Sequence, residues 1–387
     1  MKEEWKKVKL GTIATFSNGV NFGKESYAPG VKLIGVSNFG NRYFPEYEDL
    51  DEIDERVLRP NDYLKNGDIV FVRSNGNKEL VGRCMLIQNP PKPVTYSGFC
   101  IRARLNNIEE NNPRFFTYYF KSKAFRKAMS NTAVGANIQN LNQGLLSNHE
   151  FKLPPLPTQQ KIASILSAYD DLIENNRKQI KLLEEAAQKL YKEWFVKLNF
   201  PGHETAKIVD GVPEGWKKGV LSDIGEFKRG KTITKDQTLE GKIPVVAGGL
   251  EPAYYHNESN TEAPVITVSG SGANAGFTRM YQEKVWASDC SFVDVSICEN
   301  LYFVYCVLKA TKNVVDNLQK GAAQPHVYAK DLNALNIIVP SDSILNKFSF
   351  VVKPYFDKIK ILQSQIQPLQ SARDKLLPRL MNGELEV

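Results

Sequence analysis

Gly225-Glu226-Phe227-Lys228-Arg229-Gly230-Lys231-Thr232 fits the G-x-x-x-x-G-K-[ST] pattern of a nucleotide-phosphate loop letter for letter. Such a loop works when a strand precedes it and a long helix comes after it, so that successive backbone N–H groups close around phosphate. Here bulky Phe227, Lys228 and Arg229 fill the loop, and Ile233-Thr234-Lys235-Asp236 continues without a helical stripe. The cations therefore read as phosphate contacts without hydrolysis. Asn89-Pro90-Pro91-Lys92 approaches the N-P-P-aromatic motif of amino-methyltransferases, but Lys92 stands where the base-stacking ring belongs and no glycine-rich S-adenosylmethionine loop precedes it. A proline turn is expected there. Gly270-Ser271-Gly272 with Gly276 is too loose for a dinucleotide fingerprint. His149, His203, His256 and His326 are far apart with no acid or nucleophile patterned beside them, and no acidic cluster resembles a nuclease metal site. The polar residues of this chain read as binders, with no catalytic residue, no metal site and no cofactor of its own.

The elements that would position them come in two copies. Trp5-Lys6-Lys7, Leu10, Ile13, Phe16 and Gly19 recur as Trp216-Lys217-Lys218, Leu221, Ile224, Phe227 and Gly230 at an offset of 211 residues. Gly135-Ala136 and Leu153-Pro154 recur as Gly321-Ala322 and Val339-Pro340 at an offset of 186, so the second copy is shorter. A length of 387 residues suits two domains of ~150 residues plus helical segments. The hydrophobic fraction of 42% and charged fraction of 24% argue against disorder. No apolar run reaches the ~18 residues of a membrane span, and Met1-Lys2-Glu3-Glu4 leads into no signal-like stretch, so the cytoplasm is the expected location. Cys84, Cys100, Cys290, Cys298 and Cys306 include no C-x-x-C and read as reduced, mostly buried thiols.

A net charge of +7 permits a polyanionic partner. One acidic stretch, from Glu46 to Glu55, should face away from any phosphate backbone. Ile69-Val70-Phe71-Val72, launched by Asn66-Gly67-Asp68, reads as a buried strand closed by a polar loop; Val265-Ile266-Thr267-Val268 is its expected counterpart. A second polar loop, Gly135 to Asn140, recurs as Gly321 to His326. Such loops bring backbone and short polar side chains close to a ligand.

Each copy ends in a helical stripe. After Leu153-Pro154-Pro155-Leu156-Pro157, with Thr158 as N-cap, apolar residues from Ile162 to Leu198 keep a three-four spacing, and Lys181 with Glu185 and Glu185 with Lys189 are i,i+4 pairs. As continuous helix this would extend ~60 Å at ~1.5 Å per residue, too long to bury against one small domain. The stripe from Ile344 to Leu380 is its partner, although Pro354, Pro368 and Pro378 predict kinks or separate segments. The expected fold is α+β: two similar mixed α/β domains separated by two long helices in an antiparallel coiled coil, with an approximate two-fold axis. The expected boundaries are 1–153, 154–200, 201–340 and 341–387.

Leu64-Lys65-Asn66-Gly67-Asp68-Ile69-Val70, Leu153-Pro154-Pro155-Leu156-Pro157-Thr158-Gln159-Gln160-Lys161-Ile162 and Leu190-Tyr191-Lys192-Glu193-Trp194-Phe195-Val196 stand in order along the chain. Phe200-Pro201-Gly202-His203-Glu204, Pro213-Glu214-Gly215-Trp216 and Leu380-Met381-Asn382-Gly383-Glu384-Leu385 continue the series. In these segments the chain resembles the DNA-specificity subunits of type I restriction-modification systems. The resemblance implies two target-recognition domains, each reading half of a split, asymmetric DNA site, with helices that fix the gap. It further implies docking of two modification (methyltransferase) subunits on those helices and recruitment of restriction/translocase subunits. S-adenosylmethionine and ATP/Mg would then sit on the partners. Two departures stand out: Ser341-Asp342-Ser343-Ile344 replaces the Pro-rich lead-in, and Pro368 sits mid-stripe.

The candidate DNA contacts in the first copy are Lys24, Arg42, Arg73, Ser74, Asn75, Asn77, Lys78, Arg83, Asn137 and Gln139. In the second they are Lys228, Arg229, Lys231, Ser269, Ser271, Asn274, Arg279, Gln324 and His326. Lys and Arg suit phosphate; Asn, Gln, Arg and Ser suit base edges. Candidate partner-docking residues are Ile165, Tyr169, Leu172, Leu190, Trp194, Phe195, Tyr355, Ile359, Leu376 and Leu380. The competing readings are an assembly adaptor that reads no DNA and a self-sufficient enzyme using NTP or S-adenosylmethionine.

Overall fold

The computed structural model describes residues 5–40, 42–75, 80–131, 141–320 and 325–387. In the first copy β1 (Lys6–Lys9), α1 (Leu10–Ile13), β2 (Ala14–Asn18), β3 (Tyr27–Ile34), β4 (Asp51–Ile53), β5 (Ile69–Val72), β6 (Cys84–Leu86), β7 (Val94–Tyr96) and β8 (Cys100–Leu105) come first. They are followed by α2 (Pro113–Lys121), α3 (Lys123–Asn131), α4 (Gln143–Asn148), β9 (Glu150–Leu153) and the long α5 (Leu156–Tyr191). An antiparallel sheet runs β2-β8-β5-β6, a second runs β4-β3-β7 with β3 and β7 parallel, and β1 pairs with β9.

After a short β10–β11 hairpin (Ile208–Val209, Val212–Pro213), the same plan returns. The strands are β12 (Lys217–Val220), β13 (Lys228–Arg229), β14 (Ile243–Val246), β15 (Tyr254–His256), β16 (Val265–Ser269), β17 (Thr278–Tyr281), β18 (Trp286–Ala287) and β19 (Cys290–Asp294). Helices α6 (Leu301–Ala310), α7 (Lys312–Asn317) and α8 (Ala329–Asn333) lead to β20 (Asn336–Val339) and the long α9 (Asp342–Met381). The sheets are β13-β19-β16-β17, β15-β14-β18 and β12-β20, strand for strand the order of the first copy.

All four residues of β5 are buried, as the apolar run Ile69–Val72 requires of a strand covered on both faces. The turn before it explains the Leu64–Val70 motif. Gly67 adopts φ +90°, which favours glycine, and the buried Asp68 carboxylate accepts the Lys65 N–H at 2.7 Å. Arg104 grips the same carboxylate with Nε at 2.7 Å and Nη2 at 2.6 Å, tying the turn to β8.

The chain packs as two compact units: residues 1–175 with 365–387, and residues 176–364. In the first, Leu10, Phe71, Phe116, Phe120 and Phe151 share a core with Ile162 and Leu166 of α5 and Leu380 and Met381 of α9. Buried Asp170 of α5 accepts the Tyr118 hydroxyl at 2.5 Å and pairs with Arg373 of α9. In the second, Trp194 and Phe195 pack on Phe348 of α9, with ring centroids 5.8 and 5.1 Å apart, and Phe303 completes the cluster. The two long helices are thus packed together, and within the first unit the start of α5 shares its cluster with the end of α9.

Three expectations are corrected. Thr158 does not cap α5, which begins at Leu156 and ends in a π-turn over Lys192–Val196 instead of running on to Leu198. Pro354, Pro368 and Pro378 do not divide α9, which is continuous over 40 residues. Each proline costs about 3 kcal/mol in a helix interior, but all three lie on the exposed face, where the carbonyls they leave unpaired can bond water. On the opposite face Phe348, Val352, Phe356, Ile359, Leu362 and Leu380 are buried, each contributing about 1.5–3 kcal/mol. The packed stripe outweighs the breakers. Finally, Val265–Val268 is one residue out of step as the counterpart of Ile69–Val72. Val72 stands opposite Cys100, whereas Ser269 stands opposite Cys290, so Val72 corresponds to Ser269.

Candidate nucleic-acid interface

The chain just after each of the second polar loops meets the end of β5 or β16. In the first unit the Leu141 N–H donates to the Arg73 carbonyl at 3.0 Å; in the second the Val327 N–H donates to the Gly270 carbonyl at 3.0 Å. Gly272 N–H also donates to Pro325 O at 3.0 Å, and Ser271 bridges His326. A third segment joins them. The Arg73 N–H donates to Phe99 O at 2.8 Å, and the Gly270 N–H to Asp289 O at 3.1 Å.

The fourth segment carries the repeated glycine. Gly19 N–H reaches Cys100 O and Gly230 N–H reaches Cys290 O, at 3.2 and 2.8 Å. A Cβ on Gly19 would lie 2.3 Å from the carbonyl oxygens of Tyr96 and Ser97, and one on Gly230 would lie 2.4 Å from that of Ser288 and 2.6 Å from that of Ala287. Only glycine allows this backbone-to-backbone approach. Gly230, the second glycine of the apparent phosphate loop, therefore closes a strand-end contact. The loop's Lys228 and Arg229 form strand β13, and beyond Thr232 the chain makes only a short 3-10 turn at Lys235–Gln237. The strand-before, helix-after frame of a nucleotide site is not built. Asn89-Pro90-Pro91-Lys92 forms a bend held by Asn89 N–H to Asn66 Oδ1 at 2.9 Å, with Lys92 3.6 Å from Glu52.

The candidate cations differ in how far they are engaged. Lys24, Lys228 and Arg229 are exposed and form no ion pair among the described residues. Exposed Lys231 lies over the Trp286 ring with Nζ 5.9 Å from its centroid, while the indole N–H holds the Lys231 carbonyl at 2.7 Å. Arg279 stacks on Tyr281 at 4.8 Å and donates to Leu250 O at 3.0 Å. The guanidinium of Arg73 donates to Gly98 O at 3.2 Å, so it also fixes loop geometry. Arg42 is committed to acids, 2.5 Å from Glu46 and 3.7 Å from Glu174.

The polar candidates divide. Ser271 donates to the Asp289 carboxylate, and the Asn274 amide donates to Gly248 O at 3.4 Å. Ser269 is buried, with its hydroxyl donating to Gly248 O at 3.2 Å, so it is not a surface contact. His326 stacks on Tyr328 with centroids 5.9 Å apart. Ser74, Asn75 and Arg83 are half-buried beside the first loop. Asn77, Lys78, Asn137, Gln139 and Gln324 lie outside the described residues. Within the acidic stretch, Arg56 holds the Asp54 carboxyl down at about 2, and the Gly30 N–H with Lys32 lowers that of Glu52.

No group of acids, cysteines or histidines able to hold a metal occurs among the described residues. All five cysteines are free and buried, and burial pushes the Cys100 and Cys290 thiols up to about 12, which leaves them protonated and inert. Among the docking candidates, Ile165 and Leu172 are exposed, and Tyr169, Leu190, Tyr355 and Leu376 are half-buried. Trp194, Phe195, Ile359 and Leu380 are buried in the chain's own cores. No helix among the described residues is long and apolar enough to cross a membrane.

Twice-built loop clusters on two copied α/β regions, joined by paired long helices, define the class of protein. Residues 2–185 and 213–370 match the type I restriction modification DNA specificity domain, and the chain belongs to that family of non-catalytic specificity subunits. It is 30% identical over 298 residues to the type I restriction enzyme MjaIX specificity subunit of Methanocaldococcus jannaschii, covering 70% of this chain and 69% of the relative. It is 25% identical to the HindI specificity subunit of Haemophilus influenzae, over 99% of this chain and all of the relative. The fold matches that of the S subunit of a type I restriction-modification system from M. genitalium, with TM-score 0.56 at 19% identity, over 98% of this chain and 96% of that one.

Proposed function

We propose that this specificity subunit reads a bipartite, asymmetric DNA site, one half with each globular region, and serves as scaffold for the other subunits. The observation that carries the reading is the loop cluster built twice on the same sheet plan, with exposed Lys24 a few residues after Gly19 in one copy and exposed Lys228 and Arg229 directly before Gly230 in the other, all three without an ion pair among the described residues. Lys and Arg hold phosphates and so set register, while short polar side chains and loop tips meet base edges in the groove. The segments 1–153 and 201–340 act as the two reading domains, and 154–200 and 341–387 as the helical spacers between them.

The exposed parts of the long helices, Ile165 and Leu172 among them, dock two modification subunits that carry S-adenosylmethionine. Restriction/translocase subunits using ATP and Mg join that assembly, in the cytoplasm. The chain itself supplies address and distance, not chemistry.

The test is selection and sequencing of DNA bound by the chain with its modification partner, followed by changes to the spacer. A split motif with one fixed gap is expected. Adding or removing one base pair rotates one half-site by roughly 35° at ~10.5 base pairs per turn, and binding should collapse. Retained affinity after that change would overturn the ruler, and absence of any enriched motif would favour an assembly adaptor.

A further inference from the structure

The two loop clusters superimpose in their hydrogen bonding, yet they present different chemistry at one matched position. Between Ser97 and Cys100 the first unit holds Gly98 and Phe99; between Ser288 and Cys290 the second holds only Asp289. The match does not depend on sequence alignment. Ser97 N–H donates to Ile34 O and Ser288 N–H to Val246 O, and the residue before each matched cysteine accepts the N–H of Arg73 or Gly270.

Phe99 is 63% exposed, an expensive placement for a phenylalanine that is held from all sides. Its own N–H is bound by Ser97 Oγ at 3.2 Å and its carbonyl by Arg73 and Ser74 N–H at 2.8 and 3.4 Å. The Arg73 guanidinium holds the neighbouring Gly98 carbonyl, and Gly98 N–H binds Val20 O at 2.7 Å. The backbone is pinned and the ring is left out. Asp289 is held at the same node, and its carboxylate accepts the Ser271 hydroxyl but makes no other hydrogen bond among the described residues.

We infer that Phe99 and Asp289 are matched base-reading residues, Phe99 meeting a thymine methyl in one half-site and Asp289 accepting from an exocyclic amino group of cytosine or adenine in the other. This rests on the DNA-reading function proposed above. A carboxylate near a duplex is repelled by phosphate and is useful only against a base-edge donor, while an exposed aromatic ring gains from the one apolar group the major groove offers.

The experiment uses the full chain in complex with its modification subunits, and selects and sequences bound DNA for the wild type, Phe99→Ala and Asp289→Asn. Phe99→Ala should relax preference at one thymine of the first half-site, and uracil at that thymine should weaken the wild type about fourfold, from ~0.8 kcal/mol per buried methyl-sized group. It should leave Phe99→Ala unchanged. Asp289→Asn should alter preference by roughly fivefold or more at one position of the second half-site only. Uniform loss of affinity with both motifs intact would overturn the assignment while leaving the DNA-reading function standing. If the wild type enriches no motif, the reading itself fails.

Discussion

The first and second globular regions share a scaffold and differ in what it presents. Strand order, the close approach at Gly19 or Gly230, and the buried cysteine opposite the end of β5 or β16 are the same in both. The node around them changes: Arg73 against Gly270, Phe99 against Asp289, Val72 against Ser269. The strand that leads into the repeated glycine differs in length as well, five residues in β2 against two in β13. Backbone hydrogen bonds hold geometry without reference to side-chain identity, so a loop cluster can change its chemistry while its frame persists. That division suits a module whose frame must persist while its recognition changes.

The comparison breaks most severely at the cores. Phe71→Ala in the first unit and Phe303→Ala in the second each remove a fully buried ring and should cost about 3–5 kcal/mol. Hydrogen exchange should place the loss of protection in the unit that carries the change; equal loss in both would show that they do not melt as separate units. A smaller and more selective break comes from the glycines. Gly19→Ala and Gly230→Ala force a methyl to about 2.3–2.4 Å from backbone carbonyls, costing about 1–3 kcal/mol. Each should blur one half of a selected DNA motif and spare the other, and loss of both halves from one change would contradict independent reading.

The smallest effect sharpens the comparison through pH. His149 of the first region corresponds to Leu335 of the second, since their carbonyls accept the N–H groups of Leu10 and Leu221. Burial lowers the His149 pKa below the ordinary histidine value, and the Tyr119 hydroxyl lies 2.6 Å from its Nε2. The unfolded chain then binds a proton at higher pH than the folded one, so stability rises with pH across that window. It is complete above about pH 6.5 and declines as pH falls through that value toward the lower folded pKa. His149→Leu should flatten the acid limb of the first unit's stability curve, and an unchanged slope in urea titrations at several pH values would assign it elsewhere.

Much of the fold is legible in local pattern. The paired offsets, the buried run Ile69–Val72 and the two helical stripes are properties of neighbouring residues, and each appears in the structure as strand or helix. Of the candidate interface, the recurrence of polar loops is readable from the sequence. What brings the Arg73 loop against Leu141 is a hydrogen bond between distant segments, and no local signal announces it. Phe99 and Asp289 are not paired by sequence pattern for the same reason: an aromatic residue and an acid share no type or spacing. The one available signal was their place directly before Cys100 and Cys290.

By itself, then, the sequence determined that two related regions and two long amphipathic helices exist, since periodicity and repetition are carried along the chain. Only the tertiary structure decided the register that matches Val72 to Ser269, because a strand's partner is chosen by hydrogen bonds across the sheet and a shift of one residue leaves local composition unchanged. It also decided that α9 runs through three prolines and that Trp194 and Phe195 are core, not surface. Both outcomes depend on what packs against the opposite face, and burial there outweighs the local preferences that a sequence displays.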